Sequence, residues 1–97
     1  MVKHVVIFKF KGTPEQRQAL AKNFAGALIS LPEQIQELKS MEVGLNINPD
    51  EDWDLVLTAV AESLDDIKAY STHPAHMEAL KIIEPFKDNR ACVDYEI

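Results

Sequence analysis

Cysteine is almost missing from this chain: Cys92 stands alone. An internal disulfide is therefore excluded, and so is any Cys-rich metal site. Glycine is scarce as well. Its three positions, Gly12, Gly26 and Gly44, lie far apart, so no glycine-rich loop exists to cradle a phosphate. Positive charge is in short supply. Ten Lys plus Arg stand against sixteen Asp plus Glu, for a formal net charge of -6. Nucleic acid demands a basic face and is not an expected partner. No apolar run nears the ~20 residues of a membrane span, so no membrane partner is expected either. The opening stretch Met1–Phe10 is broken by basic residues and no small-residue cleavage pattern follows. It does not read as a signal peptide, and the cytoplasm is the expected compartment.

What is present is ordinary in amount. The chain has 97 residues, 46% hydrophobic and 27% charged. That predicts one domain spanning residues 1–97, without repeat, low-complexity segment or linker. The core of so short a chain is thin, which makes association a ready source of stability.

Val2 to Lys11 is rich in β-branched and aromatic residues and stops at Gly12, the pattern of a first strand. One parity holds Val2, His4, Val6, Phe8 and Phe10; the other holds Lys3, Val5, Ile7, Lys9 and Lys11. Both carry apolar groups, so something is expected against both faces. Thr13-Pro14-Glu15-Gln16 is a helix start with capping-box spacing. Leu20, Phe24, Ala27, Leu28 and Leu31 extend an amphipathic helix to about Ser30, where Pro32 interrupts it. Glu33 to Glu37 suggests a further short helical turn. Leu38 to Asn46 reads as a second strand, with Gly44 marking a bulge or a close approach. Asn48 to Asp52 is a polar turn, and Asp54 to Ala61 a third strand.

Ser63-Leu64-Asp65-Asp66 is another cap signal, after which Leu64, Ile67 and Tyr70 share a face. Pro74 breaks that run and opens a new helix with His73 at its cap. His76, Leu80 and Ile83 form its stripe, and Pro85 is the expected end. Ala91 to Ile97 closes the chain as a fourth strand. The order β-α-β-β-α-β is that of a ferredoxin-like α+β domain, a four-stranded antiparallel sheet with helices on one face. Parity does not say which residue set meets the helices. Val5, Ile7, Val56 and Val60 nevertheless imply an apolar bare face, and a homodimer packed sheet to sheet is the expected cover.

Several segments resemble those of the stress-responsive dimeric α/β-barrel (Dabb) family. They are Val2 to Lys11, Glu42-Val43-Gly44-Leu45-Asn46, Trp53-Asp54-Leu55-Val56-Leu57, Tyr70-Ser71-Thr72-His73-Pro74-Ala75-His76 and Val93-Asp94-Tyr95-Glu96. The resemblance implies a ferredoxin-like monomer and a dimeric α/β barrel. Many members are small stress-associated proteins. One plant branch comprises polyketide cyclases, which close a linear thioester by intramolecular aldol condensation without a cofactor. The working groups of that branch are a histidine on the first strand, a tyrosine before a His-Pro-x-His motif, and the motif's second histidine. The resemblance thus points to His4, Tyr70 and His76 as catalytic candidates, with Phe24 able to contribute to a pocket.

The chemistry is coherent. Aldol closure needs a base beside a carbonyl and a donor for the oxygen that turns negative. His76, in the first turn of its helix, is the expected base; the positive end of the helix favours neutral imidazole. Tyr70 is the expected oxygen holder and His4 the orienter, bonding His76 or the substrate. His4 shares its face with Val6 and Phe8, which together with Phe24 are the expected substrate-binding residues. A small hydrophobic carbonyl compound is the ligand class. The competing reading makes all three polar residues structural, in a non-catalytic stress-associated homodimer. No cofactor and no metal site is expected: a metal on His73 and His76 requires a third ligand, such as His4 or an acid, to converge. Cys92 lacks an evident activating base and reads as inert. Asp50, Glu51 and Asp52 read as a solvated turn, and Lys3, Lys9 and Lys11 as a solvated fringe.

Overall fold

The computed structural model describes residues 1–97. The strands are β1 Val2–Phe10, β2 Ser40–Leu45, β3 Leu55–Ala61 and β4 Lys87–Glu96, and the helices α1 Pro14–Ile29, α2 Leu31–Gln34, α3 Leu64–Thr72 and α4 Pro74–Leu80. A single 3-10 turn, Glu84–Phe86, precedes β4. The sheet order is β2-β3-β1-β4 and every neighbouring pair is antiparallel. This is the expected ferredoxin-like arrangement. No helix is long and apolar enough to cross a membrane.

The caps work as their residue types dictate. Thr13 Oγ1 accepts from Gln16 N while Gln16 Oε1 accepts from Thr13 N, the reciprocal capping box. Gly12 makes that box possible. Its φ of 123° is open to glycine, and a Cβ there would lie 2.8 Å from Gln16 Oε1. Ser63 accepts from Asp66 N to open α3, and His73 Nδ1 accepts from Ala75 N to open α4.

The parity question is settled by burial. Val2, His4, Val6, Phe8 and Phe10 lie beneath the helices, together with Leu55, Leu57, Ala59 and Ala61 of β3. Phe24, Leu28, Leu31, Ile35 and Ile83 close the core from the helical side. The opposite sheet face is uncovered, with Val56, Val93 and Tyr95 exposed. Directly opposite residues share a face, so the pairings Val5 with Val93 and Ile7 with Ala91 extend an apolar surface across β1 and β4.

Three boundaries differ from expectation, and the alternative left open at Gly44 is resolved. The short helix α2 starts at Leu31, with Pro32 inside its first turn, where a missing N–H costs nothing. Gly44 sits in a regular ladder, not a bulge; a Cβ there would lie 3.2 Å from Val56 Cγ1, so the close approach is the operative reason. Helix α4 stops at Leu80, before Pro85, and the chain continues through turns into the 3-10 segment. Strand β4 begins at Lys87, four residues before the expected Ala91.

Candidate functional site

Sheet geometry brings together groups from both ends of the chain. His4 of β1 stands opposite Asp94 of β4, and Val6 opposite Cys92, so Asp94 and Cys92 point to the helical side beside His4. Strand β4 is the sheet edge, and its residues are exposed throughout. His4 itself is only 5% exposed. The site is therefore a seam between a covered strand and an uncovered one.

His4 Nδ1 lies 2.5 Å from Asp94 Oδ1. An ionised carboxylate only accepts, so Nδ1 carries the proton and donates, leaving Nε2 as the second ring position. No hydrogen bond joins His4 to His76; the expected link is replaced by the bond to Asp94. Tyr70, brought from α3, sets its ring edge-on to His4 at 6.0 Å between centroids, and 4.4 Å from the ring of His76.

The break at Pro74 positions His76. The amide of Ala75 would continue the helix by reaching back to Ser71 O, but it donates to His73 Nδ1 instead. The Ser71 carbonyl, freed by that cap, accepts from His76 Nδ1 at 2.9 Å. The proton is thus on Nδ1, and Nε2 keeps its lone pair. Burial lowers the His76 pKa below 6.5, against the Ser71 carbonyl and helped by the positive fields of His4, Arg90 and His73. Neutral imidazole is the resting form at neutral pH.

Tyr70 is the anomaly. It is 1% exposed, and its hydroxyl has no hydrogen-bond partner. Burial also raises its pKa well above the usual phenol range, against the field of Arg90, so the hydroxyl keeps its proton. A buried hydroxyl without a partner costs about 1–3 kcal/mol. Cys92 Sγ lies 3.5 Å from His4 Nδ1. Burial and the Asp94 charge raise the thiol pKa, against the effect of Arg90.

The three expected catalytic candidates thus converge, and Asp94, Cys92 and Arg90 join them. Strand parity near the C-terminus was the signal available for Asp94 and Cys92. Val6, Phe8 and Phe24 behave otherwise. All three are buried in the main core, with Phe8 and Phe24 packed edge to face at 5.4 Å. They support the wall behind the site through packing. Cavities of about 500, 370 and 290 Å³ open elsewhere, and none is bordered by His4, Tyr70 or His76. His73 is engaged as a cap, so the His73–His76 pair does not present two free ligands.

The chain is 27% identical to olivetolic acid cyclase of Cannabis sativa, over 97% of this chain and 94% of that protein. It is 29% identical to the stress-response A/B barrel domain-containing protein HS1 of Arabidopsis thaliana, over 98% and 88% of the two chains. A crystal structure of a dimeric protein of unknown function and ferredoxin-like fold from Bacteroides fragilis superposes with a TM-score of 0.94 at 43% identity, covering 99% of this chain and 95% of that one. With the pattern of the Stress Responsive A/B Barrel Domain matched over residues 2–97, the chain belongs to that family, Dabb.

Proposed function

We propose that the protein binds a small carbonyl-bearing molecule at the His4–Tyr70–His76 seam and performs cofactor-free acid–base chemistry on it, of cyclase or isomerase type. The observation that carries this reading is the buried Tyr70 hydroxyl without a partner. A carbonyl oxygen entering the seam accepts from it, and the acceptance strengthens as the oxygen turns negative. His76 Nε2 takes the proton from the carbon beside that carbonyl; the C–H electrons move into the enolate. In an aldol closure the enolate carbon bonds a second carbonyl carbon, and the imidazolium returns its proton to the new alkoxide. The bond from His4 to Asp94 holds the His4 ring as an orienting wall.

The working unit is a homodimer closed over the apolar sheet face, a reading supported by the exposed Val56, Val93 and Tyr95 and by the dimeric Bacteroides relative. A second reading, the non-catalytic stress-associated homodimer, is favoured by the absence of His4, Tyr70 and His76 from the borders of the three cavities described above. The two separate on linear aromatic and aliphatic β-keto thioesters. His76→Ala is expected to lower turnover about 10²- to 10⁴-fold, the usual yield of a positioned base. Turnover unchanged in that variant, or absent from the wild type across the panel, rejects the catalytic assignment.

A further inference from the structure

Three side chains of different ligand chemistry meet at the β1–β4 seam. The Nδ1 of His4, the Sγ of Cys92 and a carboxylate oxygen of Asp94 all lie within 4.8 Å of one another. The separate distances are 2.5 Å for Nδ1–Oδ1, 3.5 Å for Sγ–Nδ1 and 4.0 Å for Sγ–Oδ1. Zinc bonds of ~2.0–2.2 Å to nitrogen or oxygen and ~2.3 Å to sulfur, set tetrahedrally, put ligand atoms ~3.3–3.6 Å apart. Both sulfur distances already lie near that range. The one short edge is a hydrogen bond, and it opens once its proton is gone.

The surroundings suit such an exchange. His4 is buried, whereas the Asp94 side chain is 33% exposed and tied by its bond to His4. Cys92 and Asp94 lie on the uncovered edge strand, which gives an ion a path in. Imidazole, thiolate and carboxylate together select a borderline transition metal, not magnesium or calcium. Arg90 stands on the same side of β4, opposite Phe8, and is exposed; its side chain bonds Cys92 and favours the thiolate, and it must give up that contact for an ion to take its place.

We propose that His4, Cys92 and Asp94 form a three-ligand site for a divalent transition metal of the zinc class. Binding is a balanced exchange. The imidazole proton moves from Nδ1 to Nε2, the Cys92 thiol releases its proton to solvent, and Nδ1, the sulfur and one carboxylate oxygen each bond the ion. Tyr70 and His76 are not ligands, but the ion replaces the His4–Asp94 bond that holds His4 in the carbonyl-binding reading; a cobalt readout tests the metal site without recourse to turnover.

The test is a cobalt(II) titration of untagged, chelator-treated, reduced protein, followed by absorbance. The expected result is saturation at one ion per chain, with a thiolate-to-cobalt charge-transfer band that zinc(II) abolishes by displacement. Cys92→Ser, on the exposed edge and safe for folding, is expected to remove that band. Asp94→Asn is expected to weaken binding at least tenfold, and His73→Gln to leave it unchanged. A missing charge-transfer band at stoichiometric cobalt overturns the proposal. So does a band that survives in Cys92→Ser, or loss of binding in His73→Gln.

Discussion

Two polar clusters sit at opposite ends of β1, and they are finished differently. At the Phe10 end, Asp54 accepts from the Phe10 amide at 2.7 Å and from Arg17 Nε at 3.1 Å. Arg17 also donates to the Asp52 carbonyl at 2.6 Å, and Lys9 pairs with the Asp52 carboxylate. The charges there answer one another and tie α1 to the start of β3. At the His4 end, Asp94 answers His4 and Ser71 answers His76, but the Tyr70 hydroxyl is left over. A saturated cluster holds a fold together. A cluster with one buried donor to spare has given up stability, and on the function proposed above recognition of a ligand acceptor is the gain that offsets it.

That contrast can be broken first at the saturated end. Asp54→Ala strands a backbone amide and the Arg17 guanidinium, and is expected to cost about 2–4 kcal/mol in urea unfolding. Adding Arg17→Met should recover part of the loss, since the stranded charge is then gone. A loss under ~1 kcal/mol in the single variant would mean that Asp54 is a solvated surface group.

A smaller effect belongs to His76. Its folded pKa lies below the 6.5 of the free side chain, so the unfolded chain binds the proton more readily. The contribution is fully present above pH 6.5 and is lost as pH falls through the lower folded value. Stability is therefore expected to decline on acidification below pH 6.5, and His76→Gln should flatten that part of the profile. The activity of a neutral base follows the same direction, falling on the acid limb. An acid limb of stability unchanged in His76→Gln would place the titration elsewhere.

The sequence exposed some of this and hid the rest for definable reasons. Thr13 and Gln16, and His73 ahead of Pro74, announce their caps because capping is local chemistry within three residues. His4, Tyr70 and His76 were visible through segments resembling a family. The pairing of His4 with Asp94 spans 90 residues and depends on strand register, which no local pattern encodes. The start of β4 was hidden for a related reason. Lys87-Asp88-Asn89-Arg90 is an exposed edge strand, so no burial constraint gives its side chains an alternating pattern. Val6, Phe8 and Phe24 show the limit of parity. An apolar row identifies a covered face, but a core filled by its own side chains and one lined for a ligand carry the same row.

The most direct measurement is the unfolding free energy of Tyr70→Phe against wild type, each with and without a saturating aromatic β-keto acid. The account predicts that removing the unpartnered hydroxyl leaves the free protein as stable as wild type or up to about 1 kcal/mol more stable. It also predicts that the stabilisation conferred by the ligand on wild type is largely lost in the variant. A variant that is clearly destabilised when free, yet stabilised by ligand as much as wild type, would contradict the claim that this hydroxyl is held open for a carbonyl oxygen.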